Sequence, residues 1–238
     1  MDINEILRNY PKIRPLLDAR VEKIYAAEYK KNRDGKSAAS SIAQRLESWM
    51  HNMVSRTYVL NDSSPFETLE IGAGTLNQIP FESIYGNYDI IEPMSFLFKG
   101  SQLLSRIRDH FSDISEIPLT TKYNRIISVA VLEHVEDLPQ LVEKSIKHLT
   151  KGGVFACGIP SEGGFLWGVA WRLSTGLEFR IRTGLDYGNL MRHEHLNEAW
   201  EIERVLQYFF KDVTIKRFGF GKHFSLYTHI ECRNPIAT

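Results

Sequence analysis

Cysteine is scarce in this chain: only Cys157 and Cys232 occur in 238 residues. They lie far apart in apolar runs, without the close spacing of a thiolate metal site, and are expected to be reduced, buried thiols of a reducing compartment. Long apolar runs are missing too. No stretch of about 18 apolar residues exists, and the N-terminus Met1-Asp2-Ile3-Asn4-Glu5 is acidic with no apolar signal core. No transmembrane segment is expected, and a cytoplasmic location is. There is no net charge either, because 29 Lys and Arg balance 29 Asp and Glu. Without a global field the chain is not expected to bind nucleic acid or an anionic bilayer, so a charged partner must meet a local patch. Internal repeats and low-complexity tracts are absent. His193-Glu194-His195 lacks third and fourth ligands at recognisable intervals, so no metal is expected.

What is present suffices for one buried core, with 43% hydrophobic and 24% charged residues. Residues 1 to about 60 read as a helical cap or lid. Ile6, Leu7 and Tyr10, then Val21, Ile24, Tyr25 and Tyr29, recur at helical spacing. The basic, turn-prone stretch 30–37 is hinge-like, and Ser40-Ser41 are candidate caps of a further helix through Gln44, Leu46, Trp49 and Met53. Asn61-Asp62-Ser63-Ser64-Pro65 marks a boundary. From there to residue 238, short apolar runs alternate with amphipathic stretches, the signature of βα units on a mostly parallel sheet. Strands are expected over 67–71, 88–92, 107–111 (weakly), 125–129 and 153–158, and helices over 138–149 and 197–210. A closing antiparallel hairpin is expected from 213–218 and 224–232.

The informative motif is Leu69-Glu70-Ile71-Gly72-Ala73-Gly74-Thr75, at the carboxyl end of the first expected strand. Ligands of open α/β sheets bind at such ends, and glycine there lets backbone approach what a side chain would exclude. Glu70 can accept from a cationic amine through an ordered water. Glu92 of Tyr88-Asp89-Ile90-Ile91-Glu92-Pro93 ends the second strand, where a carboxylate can take both ribose hydroxyls. This describes a nucleoside site. The dinucleotide pattern needs a third glycine where Asn77 stands, and Pro80 leaves little room for the helix whose amino end would hold a pyrophosphate.

These residues, with Ser112-Asp113-Ile114-Ser115-Glu116-Ile117-Pro118, Ile126-Ile127-Ser128-Val129-Ala130-Val131-Leu132-Glu133-His134-Val135 and Leu149-Thr150-Lys151-Gly152-Gly153-Val154-Phe155, fall in the order of the motifs of class I S-adenosylmethionine-dependent methyltransferases, a family the chain resembles over residues 66–160. The resemblance implies an α/β fold with a Rossmann-like, mostly parallel seven-stranded sheet, and S-adenosylmethionine as cofactor. By it, Gly72 and Gly74, with Ala73 between them, pass under the methionine part, Glu92 holds the ribose, Asp113 and Ile114 flank the adenine, and Val129 and Ala130 line the sulfonium end. Leu76 stands where many members carry glycine, and Asn124 where an aspartate usually precedes the fourth strand. A non-catalytic nucleoside-binding regulator and a nicotinamide-dependent oxidoreductase are the alternative readings.

Methyl transfer needs a base only when the acceptor is a hydroxyl, and the candidates are His134, His193 and His195. If residues 193–195 are extended, both outer imidazoles share one side and Glu194 faces away, with Asp186 available to orient one of them. Residues 161–196 are long enough to form an insert covering the acceptor. Phe165 to Leu173 can be an apolar helix. Arg172, Arg180, Arg182 and Arg192 either hold an anionic part of the acceptor or pair with Glu178 and Asp186 on a solvated face. The expected acceptor is therefore a small molecule, a nucleotide-linked sugar or a lipid-linked sugar.

Overall fold

A computed structural model describes residues 3–17, 21–22, 24, 38–57, 66–83 and 86–236. Seven strands form one sheet in the order β3-β2-β1-β4-β5-β7-β6. They are β1 (Phe66–Ile71), β2 (Gly86–Ile91), β3 (His110–Phe111), β4 (Tyr123–Val129), β5 (Leu149–Pro160), β6 (Phe210–Phe220) and β7 (Phe224–Pro235). The first five run parallel, and β7 is antiparallel to both β5 and β6. The carboxyl ends of β1 to β5 therefore open on one rim, where the hairpin between β6 and β7 also turns.

The helices are α1 (Ile3–Arg8), α2 (Ala38–Ser55), α3 (Leu138–His148), α4 (Phe165–Trp171), α5 (Leu177–Thr183), α6 (Tyr187–Glu194) and α7 (Ala199–Phe209). Asp137 caps α3 by accepting from the Gln140 N–H at 3.1 Å, and a reciprocal Glu198/Glu201 capping box starts α7. Among the described residues, no helix is long and apolar enough to cross a membrane.

Alternation along the central strands divides the interior. Leu69, Ile71, Ile126, Phe155 and Cys157 pack with Ile6 of α1, Val142 of α3 and Ile202, Val205 and Leu206 of α7. The opposite face carries Tyr88, Ile90, Ile127 and Ala156, packed with Val54 of α2. It also buries charge. Arg125 donates to Glu82 at 2.5 Å, both side chains being 2% exposed, and Gln78 bridges Glu82 to the His51 carbonyl and side chain of α2. Both cysteines are free and buried on adjacent strands.

Several elements differ from the sequence reading. The third strand is only two residues, because a 3-10 turn over Gln102–Arg106 takes up the chain before it. α2 is described from Ala38 onward, and Ser40 and Ser41 lie within it. The apolar helix after β5 stops at Trp171 and continues as a π-type turn over Arg172–Gly176. Tyr25, Tyr29, the 30–37 hinge and the boundary at 61–65 lie outside the described residues.

Candidate functional site

The glycine turn leaves β1 with Gly72 at φ 73° and Gly74 at φ 52°. Its backbone is pinned to β2, since the Gly72 and Ala73 N–H groups donate to the Ile91 carbonyl at 2.8 and 3.2 Å. A Cβ at Gly72 would come 2.4 Å from Val131 Cγ2, so glycine there admits Val131 from the β4 loop. Leu76 adopts φ 67°, the left-handed conformation that a glycine would take without steric cost. Pro80 sits in a 3-10 turn, Ile79–Phe81, with no regular helix after the glycines.

Glu92 directly follows β2 and is almost fully buried, with Oε2 accepting the Gly74 N–H at 2.8 Å and Oε1 the Met94 N–H at 2.9 Å. The carboxylate thereby ties the glycine turn to the loop after β2. Each oxygen keeps a lone-pair direction for another donor. Glu70, on β1 two residues before the turn, is buried and accepts from Tyr88 Oη at 2.7 Å. Burial pushes its pKa up to about 7 against the lowering effect of that bond. After β3, Asp113 caps the turn Ile114–Glu116 by accepting from the Ser115 N–H and hydroxyl, bonds that hold its carboxyl below the usual range. Ile114 is buried in the core beside it. At the end of β4, Val129 is half-buried and Ala130 is exposed with φ 52°. The candidate cofactor residues thus come together at the carboxyl ends of β1, β2, β3 and β4.

A second group of side chains adjoins them past β4. His134 and His195 meet edge to face, with ring centroids 4.7 Å apart. His134 Nδ1 is 2.7 Å from the Glu194 carbonyl and 3.7 Å from Glu194 Oε2. His195 Nδ1 lies 2.7 Å from Glu162 Oε1, an ion-pair contact in which the ring N–H is not aligned for a hydrogen bond. Burial disfavours the His195 cation, but Glu162, with Glu133 and Glu194 behind it, outweighs burial and raises the pKa above the ordinary 6.5. Buried Glu133 has an oxygen with no hydrogen-bond partner, and burial raises its carboxyl despite the nearby imidazoles. Among the described residues, no His, Cys, Asp and Glu group is arranged to hold a metal.

His193 does not join this pair. Asp186 caps α6 by accepting the Gly188 N–H at 2.9 Å, so 193 and 194 are helical rather than extended. His193 Nδ1 accordingly lies 2.6 Å from the Pro15 carbonyl, while Glu194 approaches His134. Asp186 is engaged in capping. The N-terminal segment straps the two histidine-bearing stretches together: Arg14 donates to the His134 and His193 carbonyls, Lys12 to Leu196 O and Glu201, and Tyr10 to Asn197. Glu133, Glu162 and this strap escaped the sequence reading. The position of Glu162 just past β5 was the available signal, since ligands gather at strand carboxyl ends.

The insert arginines lie elsewhere. Arg172 stacks on Trp171 and donates to the Gly168 carbonyl, Arg192 donates to Asn189, and Arg180 and Arg182 stand on exposed positions of α5. A cavity of about 290 Å³ opens instead between the turn after β5, the first turn of α7 and the β6–β7 hairpin.

No protein-family model and no curated protein matches the sequence. Solved structures do match in fold. The plantazolicin methyltransferase BpumL, in complex with a monoazolic desmethylPZN analog and SAH (S-adenosylhomocysteine), aligns over 98% of this chain and 98% of its own, at 15% identity and a TM-score of 0.64. The CurJ carbon methyltransferase covers 83% of this chain with 55% of its own, at 19% identity and a TM-score of 0.57. An S-adenosylmethionine-dependent methyltransferase from Thermotoga maritima covers 88% of this chain and 96% of its own, at 13% identity and a TM-score of 0.57. Strand order, the glycine turn after β1 and these alignments agree: the chain has the class I S-adenosylmethionine-dependent methyltransferase fold.

Proposed function

We propose that this protein binds S-adenosylmethionine across the carboxyl ends of β1 to β4 and transfers its methyl group to a hydroxyl of a small-molecule or glycan-like acceptor, including nucleotide-linked and lipid-linked sugars. The observation that carries the reading is the adjacency of two arrangements. A glycine turn is tied to a buried ribose-type carboxylate, and next to it a pair of imidazoles is packed among carboxylates just past β4.

The residues suit the cofactor chemically. Glu92 has acceptor capacity left for ribose hydroxyls after taking two backbone N–H groups. Gly72, Ala73 and Gly74 present backbone to the methionine part, with Glu70 on β1 just before them. Asp113 and Ile114 take the adenine, and Val129 and exposed Ala130 face the reacting end. When bound, the cofactor supplies a methyl group activated by a positively charged sulfur, so the protein has mainly to align the acceptor and exclude water.

His195 is the base in this account, with Glu162 stabilising the imidazolium formed when the acceptor hydroxyl gives up its proton. His134 supports the ring edge to face; α1 and α2 pack on opposite faces of the sheet, and the strap of residues 10–14 ties the histidine-bearing stretches together. Only neutral His195 accepts a proton. Its raised pKa therefore makes the single-turnover rate climb with pH through a value above 6.5 and then level off.

The test is S-adenosylhomocysteine release, with mass analysis of the product, over a panel of hydroxyl-bearing small molecules and sugar conjugates. His195→Ala should lower the single-turnover rate about a hundredfold at saturating cofactor and remove the rising pH limb. Methyl transfer to an amine or thiol with His195→Ala unimpaired would overturn the hydroxyl assignment. Binding of S-adenosylmethionine without transfer to any acceptor would favour a regulator.

A further inference from the structure

The cavity beyond Glu162 has a definite chemistry. Ser161 and Thr228, both buried, form its floor with their hydroxyls 2.9 Å apart. Trp200 and Arg204 of α7 line one side and Lys222 of the hairpin the other. The turn under it depends on glycine: a Cβ at Gly163, φ 77°, would come 2.6 Å from Glu198 Oε2, and one at Gly164 would come 2.8 Å from the Lys222 carbonyl. Glu162 belongs both to this cavity and to the contact with His195, which joins the cavity to the histidine pair past β4.

The balance of charge in the lining sets what it can hold. Two carboxylates face it, and both are answered. Glu162 has His195 at 2.7 Å, while buried Glu203 takes Arg217 and has Lys222 Nζ at 3.6 Å. Arg204 is exposed at the same lining, and among the described residues no carboxylate stands within ion-pair distance of it. A guanidinium left over in one lining with a lysine and an indole suits a planar anion such as a carboxylate, or a phosphate, attached to a small body. The volume of about 290 Å³ lies near the lower end for ligand pockets, roughly 300 Å³, so the enclosed part is a single ring or its equivalent.

We propose that this cavity is the acceptor pocket and that the acceptor is a small anionic molecule. Its carboxylate or phosphate is held by Arg204 with Lys222, its body lies against Trp200, and its hydroxyl is directed to the Glu162–His195 end. The purpose of the pocket rests on the proposed methyl transfer, but its anion binding stands without it.

The test is calorimetry on the full chain, with and without S-adenosylhomocysteine, using three probes that share a 4-hydroxyphenyl ring: 4-hydroxybenzoate, 4-hydroxyphenyl phosphate and tyramine. Both anions should bind and tyramine should not, and the tighter anion identifies the head group. Arg204→Ala should weaken the anions about tenfold and Arg204→Glu about a hundredfold. Arg172→Glu, outside the cavity, should change them by less than about twofold. Anion binding that survives Arg204→Glu, binding of tyramine alone, or no binding of either anion overturns the proposal. Anion binding in a protein that does not take up S-adenosylhomocysteine would leave this pocket standing and remove the cofactor reading. The reverse pattern would do the opposite.

Discussion

The rim of the sheet is assembled differently at its two ends. Over β1 and β2 it is a backbone structure: a glycine turn, two N–H groups on the Ile91 carbonyl, and Glu92 spanning Gly74 and Met94. Beyond β4 and β5 it is a side-chain structure, in which His134, Glu162, Glu194 and His195 are gathered from three segments and strapped by residues 10–14. A backbone site is fixed by local conformation and suits a ligand of constant shape. A side-chain site can be altered without disturbing the fold, which suits the part of the reaction that differs between enzymes.

The first end should be the more costly to perturb, because buried charge underlies it. Arg125→Met leaves Glu82 buried without its cation and should cost about 3 to 5 kcal/mol of stability in denaturant unfolding. A loss under about 1 kcal/mol would mean that the pair does not support this end.

Glu70 gives the same end a pH dependence. Its folded pKa of about 7 lies above the ordinary 4.5, so between those values the folded protein keeps a proton that the unfolded chain releases. The stability this group contributes is fully present below about pH 4.5 and is lost as pH rises through about 7. Glu70→Gln should flatten that fall, which is at most about 1.4 kcal/mol per pH unit. Parallel stability curves for the variant and the wild type would contradict the assignment.

The smallest effect is expected at the second end, where neighbouring histidines separate by role. His193→Ala should leave single-turnover rates within about twofold, because His193 bonds to Pro15 O away from the pair, whereas His195→Ala should not. Equal losses in the two variants would erase the distinction drawn between the helical and post-helical residues.

The same contrast explains what could be read from the sequence. β1, β2, β4, β5 and the closing hairpin were legible because each is a local apolar run bounded by turn residues, and the glycine turn and Glu92 are recognisable from a few adjacent positions. The two-residue β3 has too little sequence to carry a pattern. The helix over Tyr187–Glu194 was missed because its start depends on Asp186 acting as a cap, and the histidines were placed on one side in consequence. The partnership of Glu162 with His195 joins the turn after β5 to the end of the insert, and no local periodicity encodes it. The arginines of the insert are numerous, yet the cavity is lined by Arg204 and Arg217, which in sequence are ordinary charges on a helix and a strand.

The backbone-built end of the rim is the proposed site for S-adenosylmethionine. Calorimetric titration of S-adenosylhomocysteine and of NAD into the wild type and Glu92→Ala tests it most directly. S-adenosylhomocysteine should bind the wild type and NAD should not. Glu92→Ala, still folded, should lose about 1.5 to 3 kcal/mol of that affinity with the ribose bonds. Binding of NAD in place of S-adenosylhomocysteine, or unchanged affinity in folded Glu92→Ala, would contradict it.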